Sequence, residues 1–241
     1  MALRESQESH TLLTGFYLEQ ITTKLHPLSN PTTISTVNIK IGFNRNHSEK
    51  WNGTYMFLPK ISSDFKNLSG KNFQLGGLIL MKYKKSDLFK YHIGVYVNND
   101  LHGPLISPLL GFYYKSINDK FEANFTLPIW ADINYRLGSW LNAGINFSAI
   151  TRTYNLGNDN AYLMKKTNEL FAYLQFNVKK SFLIQTKAGY SLGRGYETYD
   201  NNDKVNLDIY GITSGDNRTL LNPLFKDGMI FRMRLIYRFH L

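Results

Sequence analysis

Residues 229–241, at the end of the chain, alternate between apolar and polar side chains. Because side chains on a β-strand point to opposite faces in turn, this pattern predicts a strand with one apolar and one cationic face. The cationic face carries Arg232, Arg234 and Arg238, and the aromatic Phe239 stands two places before the end. Such a segment is typical of the closing strand of an outer-membrane β-barrel. We therefore expect it to pair with the strand nearest the N-terminus.

The same period of two recurs along the chain and predicts about twelve strands, within a range of about eight to fourteen. The predicted strands cover residues 12–22, 33–44, 51–58, 73–84, 88–98, 109–115, 121–127, 131–137, 141–151, 169–178, 182–191 and 229–241. The predicted connections alternate along the chain between short polar turns and longer loops. The turns are at 84–87, 117–120, 138–139 and 179–180, and the loops are at 99–108, 152–168 and 192–228. Short periplasmic turns and long extracellular loops are the pattern of bacterial barrels. The predicted fold class is all-β, a transmembrane antiparallel up-and-down β-barrel over residues 12–241, after an N-terminal periplasmic extension over residues 1–11.

Aromatic residues lie beside the short turns and near the chain end. They are Tyr83, Tyr91, Phe121, Tyr135, Trp140 and Tyr237. Aromatic rings with a polar tip favour the membrane–water interface, so we predict that this set forms an interfacial band. A soluble β-sandwich or lipocalin-like barrel would also alternate, but it would bury these rings and have short loops at both ends.

Composition agrees with strands as the membrane-crossing element. The chain is 43% hydrophobic with a mean hydropathy of -0.31, and its longest apolar run, residues 75–81, is far shorter than the roughly twenty residues that a membrane helix needs. It has no cysteine, which excludes disulfides, thiolate metal sites and a cysteine nucleophile. Residues 1–10 lack the apolar core of a secretory signal, so an exported barrel implies a signal peptide that has been removed.

Several short motifs carry a family resemblance. They are KISSDFK at 60–66, FQLGGL at 73–78, GF at 111–112, LPI at 127–129, KAGYSLGR at 187–194, DKV at 203–205 and FKDGMIF at 225–231. In these segments the chain resembles a family of outer-membrane β-barrel proteins of unassigned function from the Bacteroidota. The resemblance implies a location and a fold, and it brings no catalytic residue with it.

The polar positions of the alternating strands, which face away from the apolar side, supply the candidate lumen residues. They are His92, Glu122, Asp132, Arg136, Lys187, Arg232, Arg234 and Arg238. One interpretation is a channel for acidic solutes, lined by cations. The interpretation that we favour is a filled, non-conducting lumen in which Arg232 and Arg234 pair with Glu122 and Asp132.

Three function classes follow from this pattern. The favoured one is a non-catalytic accessory or structural component of the outer membrane, such as a subunit of an envelope complex. The alternatives are a small channel for acidic solutes and an outer-membrane lipid hydrolase. A hydrolase would need a serine activated by an imidazole. The candidate pairs are His92 with Ser148, His26 with Ser29 and His102 with Ser107. No metal site or cofactor motif is predicted, since Asp200 to Asp203 lacks calcium-loop spacing.

The formal net charge of +10 raises the question of partners. The basic residues are scattered over turns and strand faces, which argues against nucleic acid as a partner. We expect them to meet outer-membrane lipid and lipopolysaccharide instead. Residues 192–228 alternate in part and are rich in aromatics, so they predict an ordered outer extension that could bind other envelope proteins.

Overall fold

A computed structural model of the protein describes residues 10–67, 69–157, 160–179, 181–210 and 212–237. They form an antiparallel sheet whose strands follow one another along the chain. The strands are β1 His10–Thr23, β2 Thr32–Asn46, β3 Trp51–Ser63, β4 Phe73–Lys84, β5 Phe89–Asp100, β6 Gly103–Lys115, β7 Phe121–Leu127, β8 Trp130–Arg136, β9 Leu141–Leu156, β10 Ala161–Lys179, β11 Phe182–Asp200, β12 Leu207–Ile209, β13 Ile212–Ser214 and β14 Gly228–Tyr237. Gly70–Asn72 form a short 3-10 turn before β4.

The sheet runs from β1 to β11 in chain order and continues to β14. It curls into a barrel, because the far end of β9 bridges to β3 through the pair Ser63 and Asn155. This bridge closes a ring that runs from β3 to β9. The prediction of an all-β, up-and-down barrel of about twelve long strands is confirmed, with β12 and β13 as additional short strands.

The exterior of the barrel is apolar. Along β1, Leu12 and Phe16 are 73% and 68% exposed, and along β14, Phe231 and Leu235 are 75% and 66% exposed. Of the aromatics predicted to mark the interface, Tyr91, Tyr135, Trp140 and Tyr237 are exposed, while Tyr83 and Phe121 are half-buried. Within the described ranges, no helix is long and apolar enough to cross a membrane.

Two of the predicted long loops are strands. The segment 99–108 is a tight hairpin, in which Asp100 faces Gly103. The segment 152–168 extends β9 and β10, which remain paired up to Leu156 and Ala161. The alternation failed here because residues 153–156 and 161–165 are buried on both faces, so polar and apolar side chains no longer mark outside and inside.

The extended end of the β9–β10 hairpin crosses the interior of the barrel. One face places Tyr154 and Leu163, both fully buried, against Ile34 of β2 and Ile21 of β1. The other face places Tyr162 and Met164 in a second cluster with Tyr199, Leu101 and Leu220. We call the described residues of 152–165 the partition, because they lie between β1–β2 on one face and the β5–β6 turn with β11 and its following loop on the other.

The segment 192–228 also contains a hairpin, formed by β12 and β13. It is part of the barrel wall: Ile209 pairs in parallel with Ile106 of β6. The strands β7 and β8 are short, and the last β6–β7 pair is Leu110 with Leu127. The outer half of β6 would otherwise expose unpaired backbone groups, and β12 pairs with two of its residues, Leu105 and Ile106.

The expected partner of the last strand is corrected. The segment is a strand, as predicted. It pairs with β11, from Phe182 opposite Tyr237 at one end to Ser191 opposite Gly228 at the other. In the described part of the chain, however, no ladder joins β14 to β1, and these two strands are the ends of the sheet. The prediction that β14 closes the barrel on β1 is therefore wrong for the described residues, since closure is made by β9 on β3. Residues 1–9 and 238–241 lie outside them, and Arg238 with them.

Leu163 tests whether the partition is a true core. Leu163→Ala should lower the free energy of unfolding by about 2 to 5 kcal/mol, because the fully buried side chain would leave a cavity. The matched control is Leu170→Ala on the same strand, whose side chain is 45% exposed and should matter much less. Urea unfolding in lipid vesicles measures both. Equal effects would mean that the partition is not packed as described.

Candidate functional site

An ion network seats the partition on β1. The carboxylate of Glu19 accepts hydrogen bonds from Arg152, from the Tyr154 hydroxyl at 2.9 Å and from the Lys165 ammonium at 3.3 Å. Arg152 also donates to the Tyr17 hydroxyl at 3.0 Å. Glu19 is 19% exposed at its side chain, so these charges are largely removed from water and must be paired.

A second network holds the opposite face of the partition. The Thr153 hydroxyl donates to Asp100 at 3.2 Å, and Gln74 donates to the Thr153 carbonyl at 3.0 Å. The Lys60 ammonium lies 2.9 Å from the Asp100 carboxylate, and both side chains are almost fully buried. Hydrogen bonds to charged groups in such surroundings are the strong ones. The partition is therefore fixed on both sides by buried polar contacts.

A chamber of about 390 Å³ lies inside the barrel beside the partition. Most of its wall is apolar, and large apolar side chains reach it from β3, β4, β6 and the β7–β8 hairpin. They are Leu58, Leu78, Leu80, Leu105, Leu109, Ile129 and Trp130. Tyr210, between β12 and β13, completes the wall and donates to the Pro128 carbonyl at 2.8 Å. The charged residues of the wall are Lys40, Lys60 and Arg152.

The sequence-based candidates did not include this chamber. They were chosen on the premise that lumen side chains are polar, as in many barrels. The signal that could have found the chamber is the run of residues 75–81 in β4. An apolar run without alternation indicates a strand that is apolar on both faces. Here Ile79 is 46% exposed on the outside, while Leu78 and Leu80 line the chamber.

Some predicted lumen residues lie together near β14, but with other partners than expected. Arg232 donates to Glu169 at 3.0 Å and lies over the Phe171 ring. Asp132 accepts instead from the Tyr173 hydroxyl at 3.1 Å. Lys187 follows on the neighbouring strand, where it donates to Asn146 at 3.0 Å and lies 5.2 Å from the centre of the Tyr173 ring.

The expected pairing of Arg232 and Arg234 with Glu122 and Asp132 is therefore wrong. Glu122 lies with Arg136 in a polar recess of about 650 Å³ at the short-turn end. Arg234 is exposed and donates no hydrogen bond within the described residues. The strand register was needed to see this, because it places Arg232 beside Lys187 and within reach of Glu169 on the next strand.

The candidate hydrolase residues are not arranged as a nucleophile and its base. His92 is buried, and its Nδ1 lies 3.2 Å from the Phe125 carbonyl and 3.3 Å from the Thr126 hydroxyl. His102 is fully buried, and its Nε2 lies 3.1 Å from Asp208. Among the described residues, no serine hydroxyl is hydrogen-bonded to either imidazole. The same ranges contain no group of three or more side chains that could hold a metal ion.

The loop after β11 is held by Arg218. Its guanidinium donates two hydrogen bonds of 2.9 Å to Asp216 and lies 4.4 Å from the centre of the Tyr199 ring. The hydrogen bonds from Arg218 lower the pKa of Asp216 to about 2. The stabilisation is therefore fully present above the ordinary Asp pKa of about 4 and is lost as the pH falls toward 2. Residues 216–218 thus give this loop an ordered anchor at neutral pH.

The fold and the chamber together define a β-barrel with a partitioned, partly apolar interior. By sequence, the chain belongs to the family described as a domain of unknown function (DUF6268), which matches residues 12–210. A structure of the NanC porin in a rhombohedral crystal form is similar at 8% identity, covering 95% of this chain and 99% of the porin chain, with a TM-score of 0.35. A comparison with curated proteins finds no match.

Glu19 tests the network that seats the partition. Glu19→Gln should destabilise the protein by about 3 kcal/mol or more, because it leaves Arg152 and Lys165 with uncompensated charges in a largely buried site. The control is Asp87→Asn, which breaks an ion pair with Lys84 at an exposed turn and should leave stability almost unchanged, because solvent screens the pair. Chemical denaturation of the refolded proteins measures the difference. Equal losses would contradict the network's role.

Proposed function

We propose that the protein is an integral outer-membrane β-barrel whose lumen is blocked by its own partition. It acts as a non-catalytic accessory or structural component of the outer membrane. The exposed apolar residues of every long strand support the membrane location, because a surface of this kind is stable in hydrocarbon and not in water. The wall strands supply their own backbone hydrogen bonds, which a membrane requires.

The observation that carries the blocked lumen is the burial of the partition. Residues 153–156 and 161–165 are buried, and they contact β1–β2 on one face and β4–β5 on the other. A conducting pore requires a continuous path of water. The ion pairs of Glu19 with Arg152 and Lys165, and the hydrogen bond from Thr153 to Asp100, hold the partition across that path.

The location is tested by fractionation. The full-length protein, expressed in a Gram-negative host with an export signal, should be found with outer membranes and should resist extraction by urea or alkaline carbonate. Recovery in a soluble fraction as a folded β-protein would contradict the proposal. This measurement stands apart from the test of conductance, which asks only whether the lumen is open.

Conductance separates a blocked barrel from a channel. The wild-type protein in planar bilayers should show no openings. Replacing residues 153–164 by a short glycine-serine connection should produce openings that favour anions, because Lys40, Lys60 and Lys187 would then border water. Circular dichroism must show that the variant retains its strands.

The control for conductance leaves the partition intact. Pro27→Gly with Leu28→Gly alters the exposed β1–β2 loop, where Leu28 is 91% exposed, and should leave the barrel closed. Reproducible, anion-selective openings of the wild type would overturn the blocked lumen in favour of a channel for acidic solutes.

The depth of the wall in the membrane gives a further test. Met233→Arg should cost about 2 to 4 kcal/mol, because it places a guanidinium in the hydrocarbon near the midplane. Tyr237→Arg, four residues closer to the short-turn end, should cost about 0 to 1 kcal/mol, since arginine is tolerated at the interface. Unfolding in lipid vesicles measures both. Equal costs would show that the outer face of β14 does not cross hydrocarbon.

A further inference from the structure

We propose that the chamber is a binding site for a single-chain amphiphile with an acidic head group, of which a long-chain carboxylate is the simplest form. This goes beyond a structural role for the barrel, because it assigns a ligand to its interior. The argument rests on the apolar wall, on the sign of the charges and on the size of the chamber.

The wall of the chamber is suited to a hydrocarbon chain. Leu58, Leu78 and Leu80 face it from β3 and β4, and Leu105 and Leu109 face it from β6. Apolar surface that meets water inside a barrel is unfavourable in proportion to its area. A hydrocarbon chain in the chamber would cover this surface. The volume of about 390 Å³ lies in the range of roughly 300 to 1,000 Å³ that is usual for small-molecule sites.

The charges of the wall are suited to an acidic head group. The charged side chains in the wall, Lys40, Lys60 and Arg152, are all basic. The carboxylates that pair with Lys60 and Arg152 are Asp100 and Glu19, which bind the partition and are not part of the chamber wall.

Once Lys60 and Arg152 are paired with carboxylates, Lys40 is the remaining cation of the chamber wall. Among the described residues it has no carboxylate partner, and its ammonium lies 5.9 Å from the centre of the Tyr17 ring. The guanidinium of Arg152 lies 4.8 Å from the same ring centre. Lys40, Tyr17 and Arg152 thus form a cationic corner at one side of an apolar chamber. A carboxylate there would be held by charge-assisted hydrogen bonds while its chain lies along the leucines.

Trp130 offers a direct readout, because it lines the chamber whereas Trp51 and Trp140 are exposed on the barrel. The full-length protein with Trp51→Phe and Trp140→Phe, in lipid nanodiscs, is titrated with a bromine-labelled long-chain carboxylate that quenches tryptophan. We expect saturable quenching at one site per barrel. A protein that retains only Trp140 should show quenching that grows with the quencher in the lipid and does not saturate.

Competition by two other ligands separates the contribution of the head group from that of the hydrocarbon chain. A long-chain alcohol of equal length should compete at least about tenfold more weakly than the carboxylate, the factor expected for one lost charge-assisted hydrogen bond. A short-chain carboxylate should not compete in the same concentration range. Equal competition by the alcohol would overturn the acidic head group, and competition by the short carboxylate would indicate a plain anion site.

Matched variants test the two halves of the site. Lys40→Gln should weaken binding about tenfold or more, whereas Lys90→Gln, a lysine of β5 outside the chamber wall, should not. Leu80→Phe should narrow the chamber and weaken saturable quenching, whereas Ile79→Phe on the outer face of the same strand should leave it unchanged. Thermal unfolding by circular dichroism confirms that each variant is folded.

The proposal is overturned if the wild type shows no saturable quenching, or if Lys40→Gln and Leu80→Phe bind as tightly as their controls. If Leu80→Phe does not fold, Leu78→Phe takes its place, because Leu78 lines the same wall. Neither result depends on conductance, so a failure here is distinguishable from a failure of the blocked lumen.

Discussion

The contact of Glu19 with two cations of the β9–β10 hairpin determines how the interior of the barrel is organised. Glu19 stands on the first strand, whereas Arg152 and Lys165 come more than a hundred residues later. A carboxylate and two cations removed from water are stable only together, so the hairpin is drawn across the interior and held there. From that position β9 bridges to β3, and within the described residues this hairpin closes the ring of strands.

The architecture was largely contained in the sequence, because strands with a lipid-like exterior repeat an apolar residue at every second position. This pattern located all of the long strands. It failed where both faces are buried, as at residues 153–156 and 161–165, since burial removes the contrast on which the pattern depends. It also could not show that β12 would pair with β6, because the need for a partner arises from the shortness of β7 and β8.

The interior was harder to predict than the wall. The polar phase gave residues such as Arg232 and Asp132, but their partners are Glu169 and Tyr173, and only the strand register brings these together. The chamber was missed for a different reason. Its leucines lie at positions that the alternation predicts to be polar, and the apolar run in β4 by itself shows only that it is too short for a membrane helix. The same run marks a strand with an exposed apolar face on one side and an apolar cavity on the other.

The β12–β13 hairpin has a consequence for access to the interior. Beyond the last β7 and β8 pairs, the outer parts of β6 and β9 are no longer joined through a continuous set of long strands. The hairpin occupies that position through two pairs with β6, the contact of Asp208 with His102 and the Tyr210 contact to Pro128, and Tyr210 is itself part of the chamber wall. These few contacts hold the hairpin less firmly than the long backbone ladders hold the other strands. Their release would open a lateral window from the chamber to the surroundings of the barrel, while the partition stays in place.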